Sequence, residues 1–121
     1  MMGTLACPMS DDDEWLDANA VKVVVDRQGF ALYFSRASIP RVRDSQVAPT
    51  TWLKHIGLYV YRKDFLLKYA RFASGTLEQF ERLEQLRALE YGFRIRVVVR
   101  DYDSIGVDTH QDLEQVRALM G

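Results

Sequence analysis

The chain has 121 residues, 48% of them hydrophobic, which predicts one globular unit over residues 1–121. Its 16 basic and 17 acidic side chains nearly balance, so we expect no nucleic-acid partner. Its single cysteine, Cys7, excludes an internal disulfide framework and a cysteine-rich metal site, and it fits a reducing compartment. No apolar run reaches the roughly 18 residues that span a bilayer and the start is not typical of a signal peptide, so we expect a cytoplasmic protein with no membrane partner.

The first half of the chain is dominated by segments that favour strands. Ser10, three residues before Asp13, predicts the capped start of a short acidic helix. Gly29 lies in a tight turn between two strand-like runs and predicts a β-hairpin, because glycine readily takes a positive φ. The polar stretch 40–49, between two prolines, predicts a surface loop. The predicted strands of this half are residues 4–8, 20–26 and 30–36.

The second half alternates between strands and helices. Asp64 is expected to cap one helix, and Thr76 with Gln79 forms a capping box for a longer helix that runs to about Tyr91 and stops at Gly92. A strand with one solvated, arginine-bearing face is predicted at 95–99, and a last helix is predicted from Thr109.

The strand predicted at residues 54–62 has two chemically different faces, because side chains alternate along a strand. One face is aliphatic and consists of Ile56, Leu58 and Val60. The other consists of His55, Gly57, Tyr59 and Tyr61. A glycine among polar rings leaves space beside them, so this face is either the wall of a pocket for a polar ligand or one side of an ordinary half-buried strand.

Two charged residues interrupt the apolar stripe of the helix predicted from Thr76. At about 100° per residue, Glu84 projects between Leu77 and Phe80, and Arg87 projects between Phe80 and Leu83. A carboxylate among apolar side chains needs a partner, since an uncompensated buried charge is costly. Glu84 therefore either pairs with Arg87 or faces a ligand.

Two further residues have two interpretations each. Asp108 stands at the start of the last predicted helix, where an acid either stabilises the helix N-terminus or, at a junction between strand and helix, binds magnesium. Arg36 ends a predicted strand and is either solvated or in contact with an anion. Spacing alone leaves these alternatives open.

Five segments in a fixed order are similar to one known family. They are VKVV at 21–24, ALYFSR at 31–36 with IP at 39–40, HIGLY at 55–59 with YR at 61–62, LEQLR at 83–87, and GVDT at 106–109 with DL at 112–113 and VR at 116–117. Together they resemble the C-terminal half of the 3-deoxy-manno-octulosonate cytidylyltransferases, the CMP-Kdo synthetases of lipopolysaccharide biosynthesis. The resemblance implies an α/β fold, a mixed sheet flanked by helices, as part of a nucleotide-diphospho-sugar transferase fold.

The resemblance also implies a reaction and a set of site residues. Family members transfer CMP from CTP to the sugar acid Kdo with Mg²⁺ and release pyrophosphate. By resemblance, Asp108 is the magnesium ligand, and no side chain is assigned as catalytic. The residues that the resemblance assigns to the sugar acid are Arg36, His55, Tyr59, Glu84 and Gln85.

The triphosphate-binding loop and a second metal-binding aspartate belong to the N-terminal half of that family and have no counterpart in these 121 residues. We therefore expect the chain to supply the sugar-acid side of a site and to bind CTP only together with the missing half. We also expect a homodimer, because a divided sheet has an open edge that favours association. The alternatives are a non-catalytic binding or dimerisation module derived from the family, and a related enzyme that activates sialic acid, which His55 and Glu84-Gln85 disfavour.

Overall fold

Five β-strands and four short helices make up the part of the chain that the structure describes. A computed structural model describes residues 2–44 and 52–101, together with Glu114, Arg117 and Ala118, which are helical. The elements in chain order are β1 (Met2–Met9), α1 (Asp12–Leu16), β2 (Lys22–Val25), β3 (Ala31–Ser35), β4 (Trp52–Tyr61), α2 (Lys63–Tyr69), α3 (Thr76–Glu81), α4 (Leu86–Glu90) and β5 (Ile95–Val99). The predicted site residue Asp108, most of the predicted last helix and much of the predicted loop at 40–49 lie outside the described residues.

The strands form one mixed sheet in the order β3-β2-β4-β1-β5. β1 runs antiparallel to β4 and parallel to β5. Residues 2–7 of β1 are all buried, as expected for a strand that is covered on both faces in the middle of a sheet. The predicted mixed α/β architecture is confirmed.

The hairpin of β2 and β3 is confirmed, including its turn. Gly29 has a φ of 88°, which a residue with a side chain rarely adopts. The Asp26 carboxylate shapes the turn by accepting the backbone N–H groups of Gln28 at 2.8 Å and Phe30 at 2.9 Å. The Arg94 guanidinium lies 3.5 Å from the centre of the Phe30 ring, so the arginine-bearing face of β5 also holds the hairpin.

β4 contains an irregularity that preserves its two faces. In the pairing with β1, Thr4 stands opposite Tyr59 but Leu5 stands opposite Ile56, so β4 carries two additional residues, Gly57 and Leu58. Because side chains alternate with a period of two, an insertion of two residues leaves every later side chain on its original face. Gly57 is exposed, and a Cβ atom built there would meet nothing within 4 Å.

The larger core lies on the aromatic face of β4, where Tyr59 and Tyr61 pack against it. The aliphatic face contacts a smaller cluster around Leu5, Val60 and Val98. Both faces of β4 are therefore in contact with core residues, and the polar rings of the strand lie against the main core. No helix in residues 2–44 or 52–101 is long and apolar enough to cross a membrane.

Three predicted helix caps are wrong. Asp11, rather than Ser10, caps α1, because the Asp11 carboxylate accepts the N–H of the residue two positions later at 2.9 Å. α2 begins ahead of Asp64, and α3 begins at Thr76 itself, so neither side chain occupies an N-cap position. The actual N-caps of α2 and α3, Arg62 and Gly75, form no side-chain capping bond.

The single helix predicted from Thr76 to Tyr91 is also wrong, because the chain forms two helices, α3 and α4, with a turn at residues 82–85 between them. Arg82 has a φ of 58° and a ψ of 46°, the left-handed conformation that ends many helices but costs about 1 kcal/mol for a residue other than glycine. The carbonyl of Glu78 accepts the N–H groups of both Arg82 and Leu83, at 2.8 and 3.3 Å. The regular helical hydrogen-bond ladder ends at this turn.

The break in this helix predicts opposite effects for two matched glycine substitutions. Arg82→Gly relieves the left-handed strain and is expected to raise the free energy of unfolding by about 0.5–1 kcal/mol. Gln79→Gly, within α3, is expected to lower it by about 1 kcal/mol. Urea unfolding measures both. Destabilisation by Arg82→Gly of the same size as by Gln79→Gly would mean that the helix is continuous through residue 82.

Candidate functional site

The turn at residues 82–85, called the 82–85 turn below, carries two of the predicted site residues, Glu84 and Gln85. The Glu84 side chain is exposed, whereas Gln85 is 4% exposed. Leu83 and Leu86, on either side, are buried in the main core. The side chains of Leu83 and Leu86 thus hold the turn against the main core, while the Glu84 carboxylate is directed to solvent.

The carboxylate of Glu81 joins the end of α3 to the end of β3. One oxygen accepts hydrogen bonds from the Tyr33 hydroxyl at 3.0 Å and the Ser35 hydroxyl at 2.7 Å, and the other accepts the backbone N–H of Arg36 at 3.0 Å. Burial favours protonation of this carboxylate, but the bonds from Ser35, Arg36 and Tyr33 outweigh it and hold the pKa of Glu81 below its ordinary value.

Arg36, which follows β3, also binds the end of α3. Its Nε donates to the carbonyl of Glu81 at 2.7 Å, and Nη2 donates to the carbonyl of Arg82 at 3.2 Å. These are carbonyls at the C-terminus of α3, where helical partners are missing and a positive charge is favourable. Nη1 donates to the carbonyl of Ala18 at 3.1 Å. Arg36, predicted to meet an anion, therefore holds the 82–85 turn, and part of its guanidinium remains for a ligand.

An ion pair and a phenol hold the turn from the side of α2 and α4. Arg87 binds the Glu78 carboxylate through two nitrogens, at 2.8 and 2.6 Å. The hydrogen bonds from Arg87 hold the pKa of Glu78 below its ordinary value. The predicted alternative of a Glu84 to Arg87 pair is wrong, because the helix break turns Glu84 away. The Tyr69 hydroxyl donates to the Glu84 carbonyl at 2.6 Å.

The aromatic face of β4 lies near this turn. Burial, the hydroxyls of Tyr61 and Tyr69, and the Glu84 carboxylate all raise the pKa of the Tyr59 hydroxyl, in that order. Burial and Glu84 raise the pKa of Tyr61 in the same way. Ring contacts join this face to the turn: Tyr59 lies 6.0 Å from Tyr61, and Tyr61 lies 6.0 Å from Tyr69, between ring centres. The Tyr69 hydroxyl in turn binds the Glu84 carbonyl.

His55 lies deeper on the same face and is 8% exposed. Its ring centre is 4.9 Å from that of Phe34, edge to face, and 5.5 Å from that of Tyr59. Its Nε2 is 2.9 Å from the Thr4 hydroxyl. Burial lowers the pKa of His55 from 6.5 to about 4, so the imidazole is neutral near pH 7.

A cavity of about 620 Å³ adjoins the 82–85 turn, a size suited to a small ligand. Of the predicted site residues that the structure describes, only Glu84 lines it, and His55 and Tyr59 do not. Its lining residues are Ser74, Glu78, Gln79, Phe80, Arg82, Leu83 and Glu84. Phe80, predicted to lie in the buried stripe, is 79% exposed, because the stripe divides at the helix break.

Of the predicted site residues, Glu84 and Gln85 lie in the 82–85 turn and Arg36 binds its backbone. Tyr59 and His55 lie farther away, on the aromatic face of β4. Sequence reasoning missed Thr4 and Glu81, which orient these residues. Neither carries a local signal, since a threonine in a strand and a glutamate in a helix are ordinary. In the described ranges no group of three or more His, Cys, Asp or Glu residues is placed to hold a metal ion.

Comparison with known proteins gives consistent results. A sequence model of the family described as cytidylyltransferase matches residues 1–96. The chain is 56% identical over 119 residues to a 3-deoxy-manno-octulosonate cytidylyltransferase of Solibacter usitatus, covering 98% of this chain and 47% of that protein. It is 56% identical over 124 residues to the protein of the same name in Syntrophotalea carbinolica, covering 97% of this chain and 50% of that one.

A solved structure of CMP:2-keto-3-deoxy-manno-octonic acid synthetase in complex with CTP has the same fold. It matches with a TM-score of 0.77 and 43% identity, over 98% of this chain and 48% of that one. The chain therefore spans about half the length of the relatives it matches.

His55 predicts a pH dependence of stability. A histidine whose folded pKa is lowered from 6.5 to about 4 binds fewer protons when folded than when unfolded, so stability falls as the pH falls through this window. Between pH 7 and about pH 5 we expect a loss of about 2 kcal/mol. Urea unfolding at a series of pH values measures it. In His55→Gln this slope should nearly vanish, and an unchanged slope would contradict the burial of a neutral imidazole.

Glu81 predicts a stability loss from a nearly isosteric change. In Glu81→Gln the amide NH₂ cannot accept a hydrogen bond, so at least one of the three donors facing the side chain loses its acceptor. We expect a loss of about 1–3 kcal/mol in the free energy of unfolding. The matched control is Glu114→Gln, in an exposed pair with Arg117, with an expected change below about 0.5 kcal/mol. Equal effects of the two substitutions would contradict the role of Glu81.

Proposed function

This chain belongs to the cytidylyltransferase family, and we propose that it forms the sugar-acid side of an enzyme that transfers CMP from CTP to Kdo, with release of pyrophosphate, in lipopolysaccharide biosynthesis. Two findings support the proposal: the similarity along nearly the whole chain to proteins named for this reaction, and the position of the predicted residues around the 82–85 turn. The observation that carries it is the exposed Glu84 carboxylate on a turn whose backbone binds the Tyr69 hydroxyl, and Tyr69 packs against Tyr61 on the aromatic face of β4.

The side chains at the turn suit a hydroxylated acid. The Glu84 carboxylate accepts hydrogen bonds from sugar hydroxyls, and the N–H groups of Arg36 that are not used by the three carbonyls suit a carboxylate. Tyr59 contributes a protonated phenol, since its raised pKa keeps it neutral near pH 7. Within the described residues the Tyr59 hydroxyl has no hydrogen-bond partner, so it is available to a ligand.

We further propose that the complete site uses Mg²⁺, which offsets negative charge on the phosphates when it is bound. The proposed ligand in this chain is Asp108. CTP binding is likewise proposed to need the half of the family's length that this chain does not span.

Assembly and location are also proposals. Exposed apolar side chains, such as Leu16 at 74% and Phe80 at 79%, favour association, and we propose a homodimer. The buried Cys7 with a free thiol favours the cytoplasm. The same exposed apolar side chains favour a second candidate function, a non-catalytic binding or dimerisation module derived from the family. The related proteins compared with this chain are named for Kdo rather than for sialic acid.

Titration of the purified chain with Kdo, followed by calorimetry, tests the sugar-acid side of the proposal. We expect saturable binding by the wild-type chain and binding at least about tenfold weaker in Glu84→Gln, which loses a charged acceptor. Glu114→Gln is the control and should bind as the wild-type chain does. If the wild-type chain shows no binding, or if Glu84→Gln binds equally well, the sugar-acid site is wrong.

A measurement of pyrophosphate release in the presence of CTP, Kdo and Mg²⁺ distinguishes the proposed enzyme from the proposed non-catalytic module. Release above background by the chain alone, abolished by Asp108→Ala, would exclude the non-catalytic module. Kdo binding without release is the expected result for a chain that carries only one side of the site.

A further inference from the structure

The hydroxyl of Thr4 occupies a fully buried position at the irregularity in β4. Thr4 is 0% exposed, and its backbone pairs with Tyr59. Its Oγ1 lies 2.7 Å from the carbonyl of Leu58, 3.2 Å from the carbonyl of Ile56 and 2.9 Å from Nε2 of His55. One hydroxyl therefore meets two acceptors and one imidazole nitrogen.

The number of protons available decides the direction of each bond. A threonine hydroxyl has a single proton, and carbonyl oxygens accept only, so the Thr4 proton is directed to the nearer carbonyl, that of Leu58. The Thr4 oxygen then presents lone pairs to His55, and the short contact at Nε2 requires a proton on that nitrogen. The neutral imidazole consequently carries its proton on Nε2, and Nδ1 has a lone pair.

Nδ1 of His55 has no hydrogen-bond partner among the described residues. In the same part of the chain, Glu14 Oε2 is the only fully buried side-chain oxygen or nitrogen without a partner, so Nδ1 is within reach of solvent. The rings of Phe34 and Tyr59 hold the orientation of the imidazole, at 4.9 and 5.5 Å between ring centres. The imidazole is thus held in one orientation, with an unused acceptor at Nδ1.

We propose that Thr4 is a positioning residue of the sugar-acid site, which fixes the His55 tautomer so that Nδ1 accepts a hydrogen bond from a hydroxyl of the ligand. The ligand half of this inference rests on the proposed function. An acceptor at Nδ1 favours a hydroxyl and repels a carboxylate, so the carboxylate of the sugar acid binds elsewhere in the site. Burial lowers the pKa of His55 to about 4, which keeps this acceptor available near pH 7.

The tautomer is measured directly by two-bond ¹⁵N–¹H correlation NMR on the complete chain near pH 7. His110→Gln leaves His55 as the single histidine, because the sequence contains two. We expect a protonated Nε2 and an unprotonated Nδ1 without ligand, and on addition of Kdo a shift of the Nδ1 resonance with the tautomer unchanged. A proton on Nδ1 in the chain without ligand would overturn the inference, whether or not Kdo binds.

Two substitutions of Thr4 separate positioning from packing. Thr4→Val keeps the shape and removes the hydroxyl, so the Nδ1–H tautomer should become populated and the Kd for Kdo should rise at least about fivefold. Thr4→Ser restores the hydroxyl and should return the tautomer and bring the Kd to within about twofold of the wild-type value. Equal Kd values for Thr4→Val and the wild-type chain would overturn the positioning role. If Thr4→Val does not fold, the Kd of Thr4→Ser for Kdo and the His55 tautomer in the wild-type chain test the positioning role.

Discussion

The arrangement of the site depends on the reciprocal contact between Glu81 and Arg36. The Glu81 carboxylate accepts three hydrogen bonds at the end of β3, and the Arg36 guanidinium binds the carbonyls of residues 81 and 82 in return. These carbonyls would otherwise need helical or solvent partners, so the contact makes the end of α3 favourable and holds Arg82 in a left-handed conformation. In the residues that follow, Leu83 is buried and Glu84 is exposed.

Not every ionisable residue of the proposed site carries a charge near pH 7. His55 and Tyr59 are ionisable, but burial lowers the pKa of the first and raises the pKa of the second, so both are neutral near pH 7. The charged side chains at the 82–85 turn include Arg82, Glu84 and Arg36, and Arg36 is partly engaged by backbone carbonyls. Recognition of a sugar acid here would therefore combine hydrogen bonds from neutral rings with one carboxylate and two guanidinium groups.

The proposed reaction needs groups beyond those described at the 82–85 turn and on β4. Transfer of CMP requires a second set of groups that compensates the charge on three phosphates, by backbone amides, basic side chains or a metal ion. The chain covers about half of the length of its relatives, and the residues proposed for the sugar acid lie at the end of β3, on β4 and at the 82–85 turn.

The sequence by itself determined the strands, the hairpin at Gly29 and the two faces of β4, because a period of two and a glycine turn are local signals that an insertion of two residues does not disturb. Its motifs also determined the family. The tertiary structure alone decided that the helix from Thr76 breaks at Arg82, that Arg87 pairs with Glu78, and that Thr4 meets His55. Each of these follows from contacts made in the folded chain, and Glu81 and Arg36 are 45 residues apart. Helical periodicity cannot register a partner at that distance, so the apolar stripe predicted from the sequence did not reveal that Glu84 lies in a turn between two helices.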